Sequence, residues 1–150
     1  MDPLSLSDQA RVLRDFLAGK VSSAKLRELL AGHMSINGDW GSFSIDIISP
    51  LQVKVSVFPE DLRPMLERYL AWEVDDDELA RWAALLWMLD SYVNPLGLSS
   101  NESDTLMDPV WDLLGDLSAP AILGMPLRDR VVQGLPELAK LQGEIATRAV

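Results

Sequence analysis

A chain of 150 residues, 48% of them hydrophobic, is long enough to bury a core without a covalent staple, and a single domain is expected over residues 1–150. It has no cysteine and one histidine, His33, which excludes disulfides and thiolate or imidazole zinc clusters and fits a reducing, cytoplasmic setting. A net charge of −10 repels phosphate backbones and anionic lipid and attracts basic partners, which argues against direct binding of nucleic acid or membrane.

Ser7 is the expected N-cap of a first helix reaching about Ala18, with Ala10, Leu13, Phe16 and Leu17 inward and Gly19 as its stop. Ser22 caps a second helix with Leu26, Leu29 and Leu30 on its inner face, ended by Gly32. His33, just beyond that glycine, reads as an exposed side chain near a helix C-terminus. Asn37-Gly38 and Trp40-Gly41 then mark a loop. Two runs alternate with period two: Phe43, Ile45 and Ile47, then Val53, Val55 and Val57. With Ser49 to Gln52 as the turn, they predict a small antiparallel hairpin laid on the helices, since two strands alone are marginal.

Pro59 suits the first position of the next helix, where its missing N–H costs nothing. Leu62, Met65, Leu66, Tyr69 and Leu70 give that helix one apolar face, and Leu79, Trp82, Ala83, Leu86, Leu89 and Tyr92 give its successor another. Asp75 is the expected N-cap between them, with Glu78 reaching back in a capping box. The apolar patch from Trp82 to Leu89 is too short for a membrane span, and the N-terminus lacks a basic segment followed by an apolar run. Aligned without a gap, LRDFLAGKVSSAKLRELLA from Leu13 and LERYLAWEVDDDELARWAA from Leu66 share six of nineteen positions, a structural echo of helix, turn, cap and helix.

Residues 94–108 read as a polar, turn-rich loop. Asp108-Pro109 predicts the start of a helix with Val110, Leu113, Leu114 and Leu117 inward and Asp108, Asp112 and Asp116 outward. AILGMPL is a second connection. A last helix is expected from Leu127 to Leu141, interrupted or restarted at Gly134 to Pro136, with GEIATRAV frayed. The whole predicts a mainly α domain of five to seven helices with one small antiparallel β-hairpin.

No motif for catalysis stands out. Ser22-Ser23-Ala24-Lys25 has the Ser-x-x-Lys spacing of penicillin-recognising enzymes but lacks the companion motifs, and Ser22 is already used as a cap. Phosphate loops, nucleophile elbows and zinc-protease helices are missing from the sequence. Asp75-Asp76-Asp77 lacks the alternate spacing and glycine of a calcium loop. No enzyme activity, cofactor or metal is therefore expected. The charge distribution is more informative: residues 59–118 hold fourteen acidic side chains against three basic, while the flanking segments are nearly balanced. Of the five tryptophans, Trp40, Trp82 and Trp87 read as core. Trp72, beside Glu73, Asp75, Asp76 and Asp77, and Trp111, between Asp108, Asp112 and Asp116, are aromatics inside an acidic patch, a composition found at interface hot spots.

The arrangement LERYLAWEVDDDELARWAALL, then a loop, DPVWDLLGDLSAP and a closing helix, over about residues 59–126, resembles bacterial immunity proteins of the colicin D and contact-dependent growth inhibition type. Tyr69-Leu70-Ala71-Trp72-Glu73-Val74-Asp75 fills the plan of a tyrosine-leucine helix end, a Gly-Glu-Ile/Val-Ser turn and an amphipathic restart, with Trp72 where glycine is usual. The resemblance implies a small cytoplasmic antitoxin with no catalysis of its own. Its partner is expected to be one cognate protein toxin domain, in many cases a basic nuclease, neutralised by occlusion of its active or substrate-binding site. The expected contacts are Trp72, Glu73, Asp75, Asp76, Asp77, Asp108, Trp111, Asp112 and Asp116. Two other functions are considered: an adaptor or secretion chaperone that holds a partner peptide on an apolar helical groove, and a small carboxylate-dependent enzyme, which predicts two acids facing each other across a pocket.

Overall fold

The computed structural model describes residues 3–37, 44–95 and 101–148, the side chains of 101–105 and 148 excepted. Gly38, Trp40, Gly41 and Phe43, and part of the expected loop at 96–100, lie outside the described residues. Local capping sets several of the helix starts. In α1 (Leu6–Leu17) the Ser5 hydroxyl accepts from the Asp8 N–H at 3.1 Å, so the cap is Ser5 and not Ser7. In α2 (Ser23–Leu29) Ser22 accepts from the Lys25 N–H at 3.1 Å, as expected. Helix α3 (Pro59–Leu70) starts on Pro59, and α4 (Asp76–Met88) is capped by Asp75, which accepts from the Glu78 N–H at 2.8 Å.

The Glu78 side chain does not close a capping box. It crosses to α2, where its carboxylate accepts from the Ser23 N–H at 2.9 Å and the Ser23 hydroxyl at 2.5 Å. A negative charge at the N-terminus of a second helix satisfies two donors at once and ties the two helical hairpins together.

The fold is mainly helical with one small antiparallel pair, β1 (Met34–Asn37) with β2 (Ser44–Ile47), in register Met34↔Ile47 and Asn37↔Ser44. The strand partners differ from those expected. β2 does not pair with the Val53–Val57 run; instead β3 (Val55–Ser56) runs parallel to β4 (Tyr92–Val93), with Val55↔Tyr92 in register. Alternation reports which face is buried and not which strand lies alongside. The α3–α4 hairpin is the crossover that a parallel pair requires.

His33 is likewise buried rather than exposed. Its Nε2 accepts from the Leu4 N–H at 2.9 Å and its Nδ1 lies 2.8 Å from the Ser49 carbonyl. These partners assign the neutral tautomer protonated on Nδ1. The ring clamps the segment before α1 to the bend after β2.

Helix α5 spans Asn101–Ser118 and carries Pro109 inside it, so the helix begins earlier than Asp108. Met107 joins Val110, Leu113, Leu114 and Leu117 in the core, and that continuous apolar face outweighs the one hydrogen bond lost at proline. Helix α6 (Leu127–Arg148) is also unbroken, with Pro136 inside, and the C-terminal segment is helical to Arg148. Gly134 is a packing position: a Cβ there would lie 2.8 Å from Leu113 Cδ1, so α5 and α6 approach closely because it has none.

Helices α3 to α6 pack in a ring, α4 on α5, α5 on α6 and α6 on α3, with α1 laid across α3 and α4. Trp82 fastens α1 to α4, its indole N–H donating to the Phe16 and Leu17 carbonyls at 3.1 and 3.3 Å. The Tyr92 hydroxyl donates to the Leu13 carbonyl at 2.5 Å, and burial pushes its phenol well above the ordinary range. One core runs from Val12 to Leu141. Among the described residues, no helix is long and apolar enough to cross a membrane.

Candidate functional site

The turn between α3 and α4 repeats the turn between α1 and α2 in detail. After α1, the Gly19 N–H donates to Phe16 and the Lys20 N–H to Asp15; after α3, the Trp72 N–H donates to Tyr69 and the Glu73 N–H to Arg68. Both are the paired bonds of a Schellman ending, whose penultimate residue takes a left-handed backbone. Gly19 has φ 78° and Trp72 has φ 64°. Glycine takes this conformation freely, whereas a side chain meets the neighbouring carbonyl at a cost of about 1–2 kcal/mol.

Trp72 is thus strained, and it is also 79% exposed. It is not left loose. Arg128, from the first turn of α6, stacks its guanidinium 3.9 Å from the indole centroid and donates to the Leu70 carbonyl and, at 3.5 Å, to the Tyr69 carbonyl. One arginine caps the C-terminus of α3 and fixes one face of the indole. A cation over an exposed ring contributes about 0.5–1 kcal/mol, part of the strain.

The acids around it divide by role. Asp75 is spent on the cap, and Asp76 accepts from the Tyr69 hydroxyl at 2.6 Å. Burial first, then that carboxylate, push the Tyr69 phenol well above its ordinary range, so it stays a donor. The side chains of Glu73 and Asp77 have no hydrogen-bond or ion-pair partner among the described residues, and both are exposed. Together these residues line an open cleft of Tyr69, Trp72, Glu73, Val74 and Asp75 to Asp77.

The later acidic stripe is less uniform. Asp116 pairs with Arg130 at 2.8 Å, and the same buried guanidinium reaches Glu137 at 3.2 Å, which makes Asp116 a structural counter-ion. Asp108 and Asp112 are exposed, while Trp111 is half-buried, with part of its ring packed against the core. Arg128 and Arg130 sit in the same turn of α6, one on Trp72 and the other on Asp116. They bring the α3–α4 turn and the end of α5 to one end of the molecule. Asp112 and Asp108 lie roughly 6 and 12 Å farther along α5, at about 1.5 Å per residue.

A second apolar surface was not legible in the sequence. Ile45 and Ile47 of β2, with Pro50, Leu51, Met88 and Leu89, line a groove at the edge of the small sheet. Ile48 is exposed nearby in sequence, and Trp87, expected in the core, is 58% exposed. Its position in α4 is one residue off the buried face of Leu79, Trp82, Ala83 and Leu86, which is the signal that marks it.

Among the described residues, no group of three or more acidic or histidine side chains is placed to hold a metal ion. No protein family, curated protein or solved structure matches the chain. The site therefore offers an exposed indole stacked on Arg128 beside two exposed carboxylates, Glu73 and Asp77, that have no side-chain partner among the described residues.

Proposed function

We propose that this chain is an immunity-type inhibitor, a cytoplasmic antitoxin without catalysis of its own. It binds a cognate basic protein domain, foremost a nuclease toxin, and occludes its active or substrate-binding face. The observation that carries this reading is Trp72. An exposed tryptophan held in a left-handed backbone, at the position where the matching turn has glycine, sets a cost of about 1–2 kcal/mol against about 0.5–1 kcal/mol from the Arg128 stack. A partner contact is the natural compensation. Glu73 and Asp77 supply the complementary charge, since a surface that binds phosphate backbones is basic and carboxylates can take the place of phosphates there.

Capture on the immobilised chain from a lysate of its source organism, at low and high salt, tests the reading. Recovery of one basic protein, released as salt rises and inactive as a nuclease in the complex, is the expected result. Retention of that protein with full activity while bound would rule out inhibition.

The groove beside β2 favours a second reading, an adaptor or secretion chaperone that holds an extended apolar peptide. It predicts capture of several unrelated peptides, insensitive to salt and lost on Ile47→Asp.

A further inference from the structure

The connection between α5 and α6 contains the 3-10 turn Pro120–Ile122 and then Gly124 at φ 81°, which reverses the chain ahead of α6. Leu123 packs on the core and Leu127 is buried, so the connection is pinned at two points. Ile122, just ahead of the first anchor, is 85% exposed, and Met125, between the two, is 37% exposed. Met125 precedes Arg128 by three residues, and Arg128 lies on Trp72. Ile122 and Trp72, the two most exposed large apolar side chains among the described residues, therefore lie on turns tied through Arg128, which follows Ile122 by six residues and stacks on Trp72. Scattered apolar residues on a surface mean little, but these lie on turns that the core and Arg128 hold in place.

We propose that the α5–α6 connection is the second half of the contact surface, with Ile122 and Met125 joining Trp72 as an apolar centre that receives an apolar side chain of a basic protein partner. This rests on the reading of the α3–α4 turn as a partner site. The choice of partner follows from charge: Glu73, Asp75 and Asp77 border the centre, and a basic surface carrying an apolar knob meets both parts. A second copy of this chain fits poorly, because a two-fold contact would set each acidic turn against its own image.

Two short synthetic peptides, one repeating arginine, leucine and glycine and the other arginine, serine and glycine, separate the apolar part from the charge. The full chain is expected to prefer the leucine peptide by about tenfold, the difference contributed by apolar burial. Ile122→Ser with Met125→Ser should abolish that preference and leave the serine peptide's affinity unchanged, while Leu6→Ser, an exposed leucine at the start of α1, should leave the preference intact. Glu73→Lys with Asp77→Lys should weaken both peptides. A preference that survives Ile122→Ser with Met125→Ser, in a chain whose charge reversal still weakens both peptides, overturns the second half alone. Charge reversal without effect on either peptide overturns the partner site and this extension of it together.

Discussion

Trp72 carries two opposing contributions that a single substitution separates. Trp72→Gly removes a strain of about 1–2 kcal/mol and a stacking contact of about 0.5–1 kcal/mol. Stability in urea is therefore expected to hold or to rise by up to about 1.5 kcal/mol, while affinity for the partner falls at least about tenfold. A large loss of stability with unchanged affinity would make Trp72 a structural plug. His33 has the opposite profile. Its ring satisfies the Leu4 N–H and the Ser49 carbonyl from a buried position. His33→Ala leaves both unpaired beside a cavity and is expected to lower stability by about 3 kcal/mol, read from the urea midpoint. An unmoved midpoint would show the clamp to be dispensable.

Two glycines of α6 test why that helix stays whole. Gly143 has open space where a Cβ would go, whereas at Gly134 the Cβ would strike the buried Leu113. Gly143→Ala is expected to raise stability by about 0.5 kcal/mol through helix propensity alone. Gly134→Val is expected to lower it by about 2 kcal/mol, because overpacking between α5 and α6 exceeds the propensity gain. Thermal denaturation of both variants decides whether Gly134 is a packing position or a tolerated break. Read locally, glycine and proline two residues apart suggest an interruption. The Leu113 contact that keeps them inside one helix comes from another element.

At the scale of the whole molecule the question is which of many acids are available. Asp75 caps α4, Asp76 holds Tyr69, Glu78 holds Ser23 and Asp116 holds Arg130, so reversing these would damage the fold as well as the surface. Glu73→Lys with Asp77→Lys leaves those bonds in place. This pair is expected to weaken partner binding by about tenfold or more at low salt and far less at high salt, with an unchanged far-UV spectrum. Equal loss at both salt concentrations would place the effect in packing. The sequence by itself determined the helical periods, the caps at Ser22 and Asp75, the start at Pro59, the kinship of the two turns and the concentration of acid in the middle of the chain. Each of these is written within a few residues, in spacing, in backbone chemistry or in plain charge. The tertiary structure alone decided the partners of the strands, the continuity of α5 and α6 through their prolines, the burial of His33, and the division of the acids into those that hold the fold and those, such as Glu73 and Asp77, without a partner among the described residues. The reason is separation along the chain: Glu78 meets a serine 55 residues away and Asp116 an arginine 14 residues away, and only packing brings such groups into reach.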